Sequence, residues 1–95
     1  MARAIVDGVV IAEAEKFHYV EGNVYFPPDA VKMEYFTKTS LHTTCHWKGE
    51  ASYYNLQVNG KSLENAAWFY PEPKRAAEAI RDHIAFYAHK VTIEK

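Results

Sequence analysis

The sequence predicts a mainly β domain of the α+β type: compact antiparallel sheets with one short helix and one C-terminal helix. Three observations carry this expectation. Turn dipeptides recur between apolar runs, at Asp7-Gly8, around Gly22-Asn23 and at Asn59-Gly60. Such pairs suit two-residue hairpin loops, whose positions need positive φ. Aromatic residues make up 15% of the 95-residue chain, and aromatic side chains favour strands. A single stretch, Lys74 to about His83, carries a convincing helical apolar period.

Arg3–Val6 and Val9–Ala14 flank Asp7-Gly8, and pairing across that turn sets Val6 against Val9 and Ile5 against Val10. Both faces of this hairpin are apolar, so it is expected to be buried on both sides or covered by a partner chain. Phe17–Val20 and Asn23–Phe26 flank the second turn. Pro27-Pro28 ends that arm, because proline cannot donate to a ladder, and it suits the first turn of a short helix over Asp29–Tyr35. Leu41–Cys45 reads as a strand from its β-branched threonines. Ser52–Val58 and Lys61–Tyr70 flank Asn59-Gly60 as the clearest hairpin. In the C-terminal helix, Ala76, Ala77, Ile80 and Ile84 form the buried stripe, with Glu78 and Arg81 toward water. Val91 and Ile93 alternate with polar residues as a short final strand.

Length argues for a single domain over residues 1–95. Net charge is −1, and the positive residues are scattered. Nucleic-acid binders concentrate basic residues to meet phosphates, so no nucleic-acid partner is expected. The apolar run at the N-terminus is too short for a signal peptide or a membrane span, and no Asn-x-Ser/Thr sequon occurs. The expectation is a small cytoplasmic protein with no membrane partner. The lone cysteine, Cys45, has no intramolecular disulfide partner and cannot build a multi-cysteine zinc site.

A two-residue Asn59-Gly60 loop sets Val58 opposite Lys61, Leu56 opposite Leu63 and Tyr54 opposite Asn65. Side chains alternate faces along a strand. One face then carries Ser52, Tyr54, Leu56, Val58, Leu63 and Ala67. The other carries Tyr53, Asn55, Gln57, Ser62, Glu64, Ala66, Trp68 and Tyr70, joined by Trp47 and Gly49 if the strand extends backwards. That second face is polar at the turn and aromatic at its far end, where Lys48 stands beside Trp47. Two readings follow: a core beneath the C-terminal helix, the usual fate of such aromatics, or the wall of a pocket, since pockets pair apolar walls with a few polar groups.

The run His42-Thr43-Thr44-Cys45-His46 has the residue types of a metal site but not the spacing. On a strand, the two histidines share a face about 13 Å apart, and Cys45 points the other way. A zinc ion needs its ligands within about 2.3 Å, so no metal is assigned to this run and no cofactor is expected. As a nucleophile, Cys45 would need a base from elsewhere in the fold, such as His18, His83 or His89, whereas a lone cysteine on a strand is commonly a small buried hydrophobe. Lys48 could anchor an anion, form a Schiff base, or simply be a solvated turn residue, the commonest fate. Gly49 beside it would allow a ligand to approach the backbone closely. There is neither a phosphate-cradling P-loop nor a dinucleotide fingerprint.

Three segments together resemble a known family: Tyr25-Phe26-Pro27-Pro28-Asp29-Ala30-Val31, Cys45-His46-Trp47-Lys48-Gly49-Glu50-Ala51-Ser52-Tyr53, and Ala66-Ala67-Trp68-Phe69-Tyr70-Pro71-Glu72-Pro73. The family is domain of unknown function 427, and the resemblance spans nearly the whole chain. It implies coiled β-sheets of the β-tent, or Mss4-like, topology. Relatives of that topology often bind zinc on two Cys-x-x-Cys pairs, and this sequence has neither pair. The family's motif maps onto Cys45, Trp47, Lys48, Gly49, Tyr53, Trp68, Tyr70, Pro71 and Pro73, with His46 standing where the family typically has proline. A nucleotidyltransferase label is attached to the family in places. The chain shows no carboxylate pair or Gly-Ser motif of the kind metal-assisted nucleotidyl transfer would use.

The leading functional expectation is a domain binding a small, anionic metabolite in an aromatic cleft, with Cys45, Trp47, Lys48, Tyr53, Trp68 and Tyr70 as the ligand-binding residues. One alternative is an enzyme using Lys48 or Cys45, nucleotidyltransferase-like for example. The other is a structural or homo-oligomerising module. No catalytic residue is assigned.

Overall fold

A computed structural model describes residues 1–95. Nine strands form three antiparallel sheets. β1 (Ala2–Val6) lies between β2 (Val9–Ala14) and β9 (Thr92–Glu94). β3 (His18–Val20) pairs with β4 (Asn23–Tyr25). β5 (Phe36–Cys45), β6 (Gly49–Val58), β7 (Lys61–Phe69) and β8 (Ala85–Phe86) form the largest sheet, in that order.

The turn chemistry works as the dipeptides predict. Val6 pairs with Val9 and Ile5 with Val10, around positive-φ Asp7 and Gly8. Neither edge of β1 is left free: β2 takes one and β9 the other, which places Ala2, Ala4, Val6, Ile11, Ala12 and Val91 in the main core. The second turn falls on Glu21-Gly22, one residue earlier than Gly22-Asn23, and Glu21 adopts φ 53°.

Asn59 and Gly60 both take positive φ, 51° and 76°. Replacing Gly60 by valine should therefore cost roughly 1 kcal/mol or more, because a β-branched residue is forced into the left-handed region. A urea midpoint unchanged from the parent would contradict the turn assignment.

The register of this hairpin departs from simple pairing beyond Leu56↔Leu63. The next pair, Tyr54↔Ala67, advances β7 by four residues while β6 advances by two. Asn65 sits in the resulting bulge at φ 48°, where its backbone N–H donates to Asn55 Oδ1 (2.7 Å) and its own Oδ1 accepts from Thr39 Oγ1 (2.8 Å). Tyr54 thus faces Ala67 rather than Asn65. The shift is even, so the facing of Tyr53, Trp68 and Tyr70 is unchanged, but Ala66 turns inward to join Ala67 in the main core.

Neither predicted helix forms. Residues Asp29–Tyr35 make two single 3-10 turns, Pro28–Ala30 and Met33–Tyr35. Between them Val31 is extended and bridges Ala12, while Lys32 N–H donates to Ile11 carbonyl oxygen (2.9 Å). In place of the C-terminal helix there are 3-10 turns over Arg75–Ile80, broken at Ala77, and Arg81 is already extended. The reason is tertiary. Ile84 exchanges two backbone hydrogen bonds of 2.8 Å with Phe26, and Asp82 N–H donates to Tyr70 carbonyl oxygen (3.0 Å). A continued helix would forfeit these, and a helix of this length has little stability of its own. Part of the stripe survives without the helix: Ala77, Ile80 and Ile84 are buried, Ala76 is exposed, and Glu78 and Arg81 form an exposed ion pair. No helix is long and apolar enough to cross a membrane.

Candidate functional site

The aromatic face of β6 and β7 closes into a second core, separate from the main one. It comprises Tyr25, Ala51, Tyr53, Trp68, Tyr70, Ala77, Ile80 and Ala85, with Cys45, Trp47 and Tyr87 packed against it. The residues singled out from the sequence thus come together. Strand pairing explains part of this, since Tyr53 lies directly opposite Trp68 and Cys45 opposite Gly49. The predicted backward extension of β6 reaches Gly49 but stops short of Trp47. The chain turns at His46-Trp47-Lys48 between β5 and β6, and Trp47 reaches the cluster from that turn.

Gly49 has a role other than admitting a ligand. Its φ is 114°, and a Cβ there would stand 3.3 Å from Glu72 carbonyl oxygen and 3.4 Å from Lys74 nitrogen. The chain's own backbone makes the close approach. Lys74 N–H donates to Lys48 carbonyl oxygen (2.9 Å), and Lys74 Nζ donates to His46 carbonyl oxygen (2.8 Å). Two of the three motif segments, around Trp47-Lys48-Gly49 and Pro71-Glu72-Pro73, are therefore locked together.

Lys48 is neither solvated nor at the mouth of a cleft: it is only 7% exposed. Its ammonium lies 5.1 Å from the Trp47 ring centre and 5.7 Å from that of Tyr70. Glu21, at the tip of the β3–β4 hairpin, closes the arrangement. One of its carboxylate oxygens accepts from Lys48 Nζ, and the other accepts from Trp47 Nε1 at 3.3 Å. Burial alone would lower the Lys48 pKa. The hydrogen bond to Glu21 and the nearby negative charge outweigh it, so the net shift is upward. An ammonium held this way is a poor Schiff-base nucleophile, which needs the free amine. Glu21 is held below the usual carboxylate range, first by its hydrogen bond from Lys48 and then by that from Trp47.

The phenols complete the cluster. Trp68 Nε1 donates to Tyr25 Oη at 3.1 Å, with the rings edge to face. Tyr53 Oη shares hydrogen bonds with Thr43 Oγ1 (2.8 Å) and Tyr87 Oη (3.3 Å). Burial raises the Tyr25 and Tyr70 pKa values, and it pushes Tyr87 up to about 12, with help from the Tyr53 hydrogen bond. These hydroxyls stay protonated at neutral pH, and those of Tyr25 and Tyr87 are hydrogen-bonded within the cluster.

Cys45 is half-buried against this cluster. His42 is engaged elsewhere, 3.3 Å from Ser52 Oγ and 3.9 Å from Glu50, and His46 is exposed in the turn. No group of three or more metal-ligating side chains converges anywhere in the chain.

The cavities lie away from the cluster. Two lie against residues of β5, β6 and β7, around Asn55 and Glu64, and the third is bounded by Lys16, Phe17, His18, Pro27 and His83. An open cleft between Trp47, Lys48 and Trp68 is thus absent: the aromatics are packed, and Glu21 covers the ammonium. Sequence reasoning missed Glu21, Tyr25 and Tyr87. Tyr25 lies in the first motif segment and could have been found there. Glu21 gives no local signal, because it meets Lys48 only through the fold.

No curated protein matches the chain. The three motif segments, now seen to build one packed cluster and its supporting turn, fall within a match that runs from residue 1 to residue 95, and on that match the chain belongs to the family of the domain of unknown function DUF427.

Proposed function

We propose that this protein binds a small anionic metabolite at the Trp47–Lys48 pair, with Tyr70, Tyr53, Trp68 and Cys45 forming the surrounding wall. One observation carries the reading: a buried ammonium and an indole N–H converge on a single carboxylate, and the carboxylate present belongs to exposed Glu21. A cationic donor and a neutral N–H aimed at the two oxygens of one group suit a carboxylate or phosphate. Glu21 here stands in for the ligand's anionic group. It sits exposed on a two-residue hairpin tip, between arms that pack on the cores through Val20, Val24 and Tyr25. Isolated from its partner, a buried ammonium is costly, so Lys48 is suited to exchanging one anion for another rather than standing empty.

The test uses benzoate, followed through the Trp47 indole N–H resonance. In Glu21→Ala, with the internal carboxylate removed, benzoate should shift that resonance saturably, and more tightly than in the parent protein. Adding Lys48→Met should abolish the effect. A folded Glu21→Ala protein whose Trp47 resonance does not respond to benzoate or to inorganic phosphate would refute the reading and leave the cluster as packing.

A further inference from the structure

A second constellation lies outside this cluster. The imidazoles of His18 and His83 lie side by side, ring centres 5.3 Å apart and planes inclined at 58°. Together with Lys16, Phe17 and Pro27 they line a cavity of about 270 Å³. Backbone pairing holds both histidines to one short segment. His18 is in register with Tyr25. Ile84, next to His83, exchanges its two hydrogen bonds with Phe26.

His83 Nδ1 lies 2.8 Å from Arg81 carbonyl oxygen. A carbonyl only accepts, so Nδ1 carries the proton and Nε2 presents its lone pair. A ring nitrogen donating to a backbone carbonyl is the usual support of a metal-bound histidine, because it fixes tautomer and ring orientation. The spacing also fits. Metal–nitrogen bonds of about 2.0–2.1 Å at a tetrahedral angle put two imidazole ring centres roughly 5 Å apart.

We propose that His18 and His83 form a two-histidine site for a borderline divalent cation, zinc in the first instance, with its remaining positions open to water or an anionic ligand. Imidazole pairs suit zinc, copper and nickel rather than the oxygen-seeking cations. The Lys16 ammonium is the one like charge on the cavity wall. It rides on an exposed, flexible stem and can turn toward water.

Calorimetric titration of the chelator-treated protein with zinc chloride tests the site. One equivalent should bind. His18→Ala and His83→Ala should each weaken binding at least about tenfold, while His46→Ala, in the distant β5–β6 turn, should leave it unchanged. Cobalt should give the visible absorption of a tetrahedral site in the parent protein and lose it in the double variant. His83→Gln, which keeps a polar side chain beside the Arg81 carbonyl, replaces His83→Ala if that variant does not fold. No saturable zinc binding in the parent, or binding that survives both substitutions with unchanged affinity, overturns the proposal.

Discussion

Trp68→Ala should destabilise the protein by about 3–5 kcal/mol, the range for removing a buried indole or phenyl side chain. Trp68 is 9% exposed and bridges the aromatic cluster, edge to face with Tyr25 and 4.7 Å from the Tyr87 ring centre. Its indole N–H is also the hydrogen-bond donor to the fully buried Tyr25 hydroxyl. Trp68→Phe retains much of the volume but leaves that hydroxyl short of a partner, so about 1–3 kcal/mol should still be lost. Equilibrium urea unfolding of both variants provides the comparison. A loss well under 1 kcal/mol for the alanine variant would mean that the cluster does not hold the fold together. Trp68 is thus a poor choice for probing ligand binding, because its removal acts first on stability. Glu21, exposed at a hairpin tip, is the better one.

Ile80→Ala should cost about 2–5 kcal/mol, as expected for truncating a fully buried branched side chain. Ile80 is 2% exposed and packs in the same cluster as Tyr70 and Ala77. Ala77 and Ile80 are three residues apart, and a 3-10 turn brings such a pair onto one side as well as an α-helix does. The burial expected of Ala77 and Ile80 is therefore met without the helix, whereas Ala76 is exposed. Chemical denaturation reads the loss directly, and an Ile80→Ala midpoint close to the parent's would show that the 74–83 segment lies on the molecule without supporting it. Trp68 and Ile80 share one cluster, so their losses are expected to be non-additive in the double variant.

The sequence by itself determined the features governed by neighbouring residues. Asp7-Gly8 and Asn59-Gly60 place two hairpins because positive φ is a local requirement, and period-two alternation then puts Tyr53, Trp68 and Tyr70 on one face. Even the bulge at Asn65 leaves that facing intact, because it shifts the register by two. The tertiary structure decided everything that depends on residues far apart in the chain. Lys74–His83 has a helical period, yet Ile84 is claimed by Phe26 and Asp82 by Tyr70, and those backbone bonds outweigh a marginal helix. Gly49 invites the reading of close ligand approach, but the backbone at Glu72–Lys74 fills the space. Lys48 reads as a solvated turn lysine until Glu21, 27 residues earlier, meets it. His18 and His83 are ordinary surface histidines until β3, β4 and the Phe26–Ile84 bridge bring them together. Torsional preferences are written in neighbouring residues. The partners of a charge or an imidazole are fixed only when distant strands close on one another.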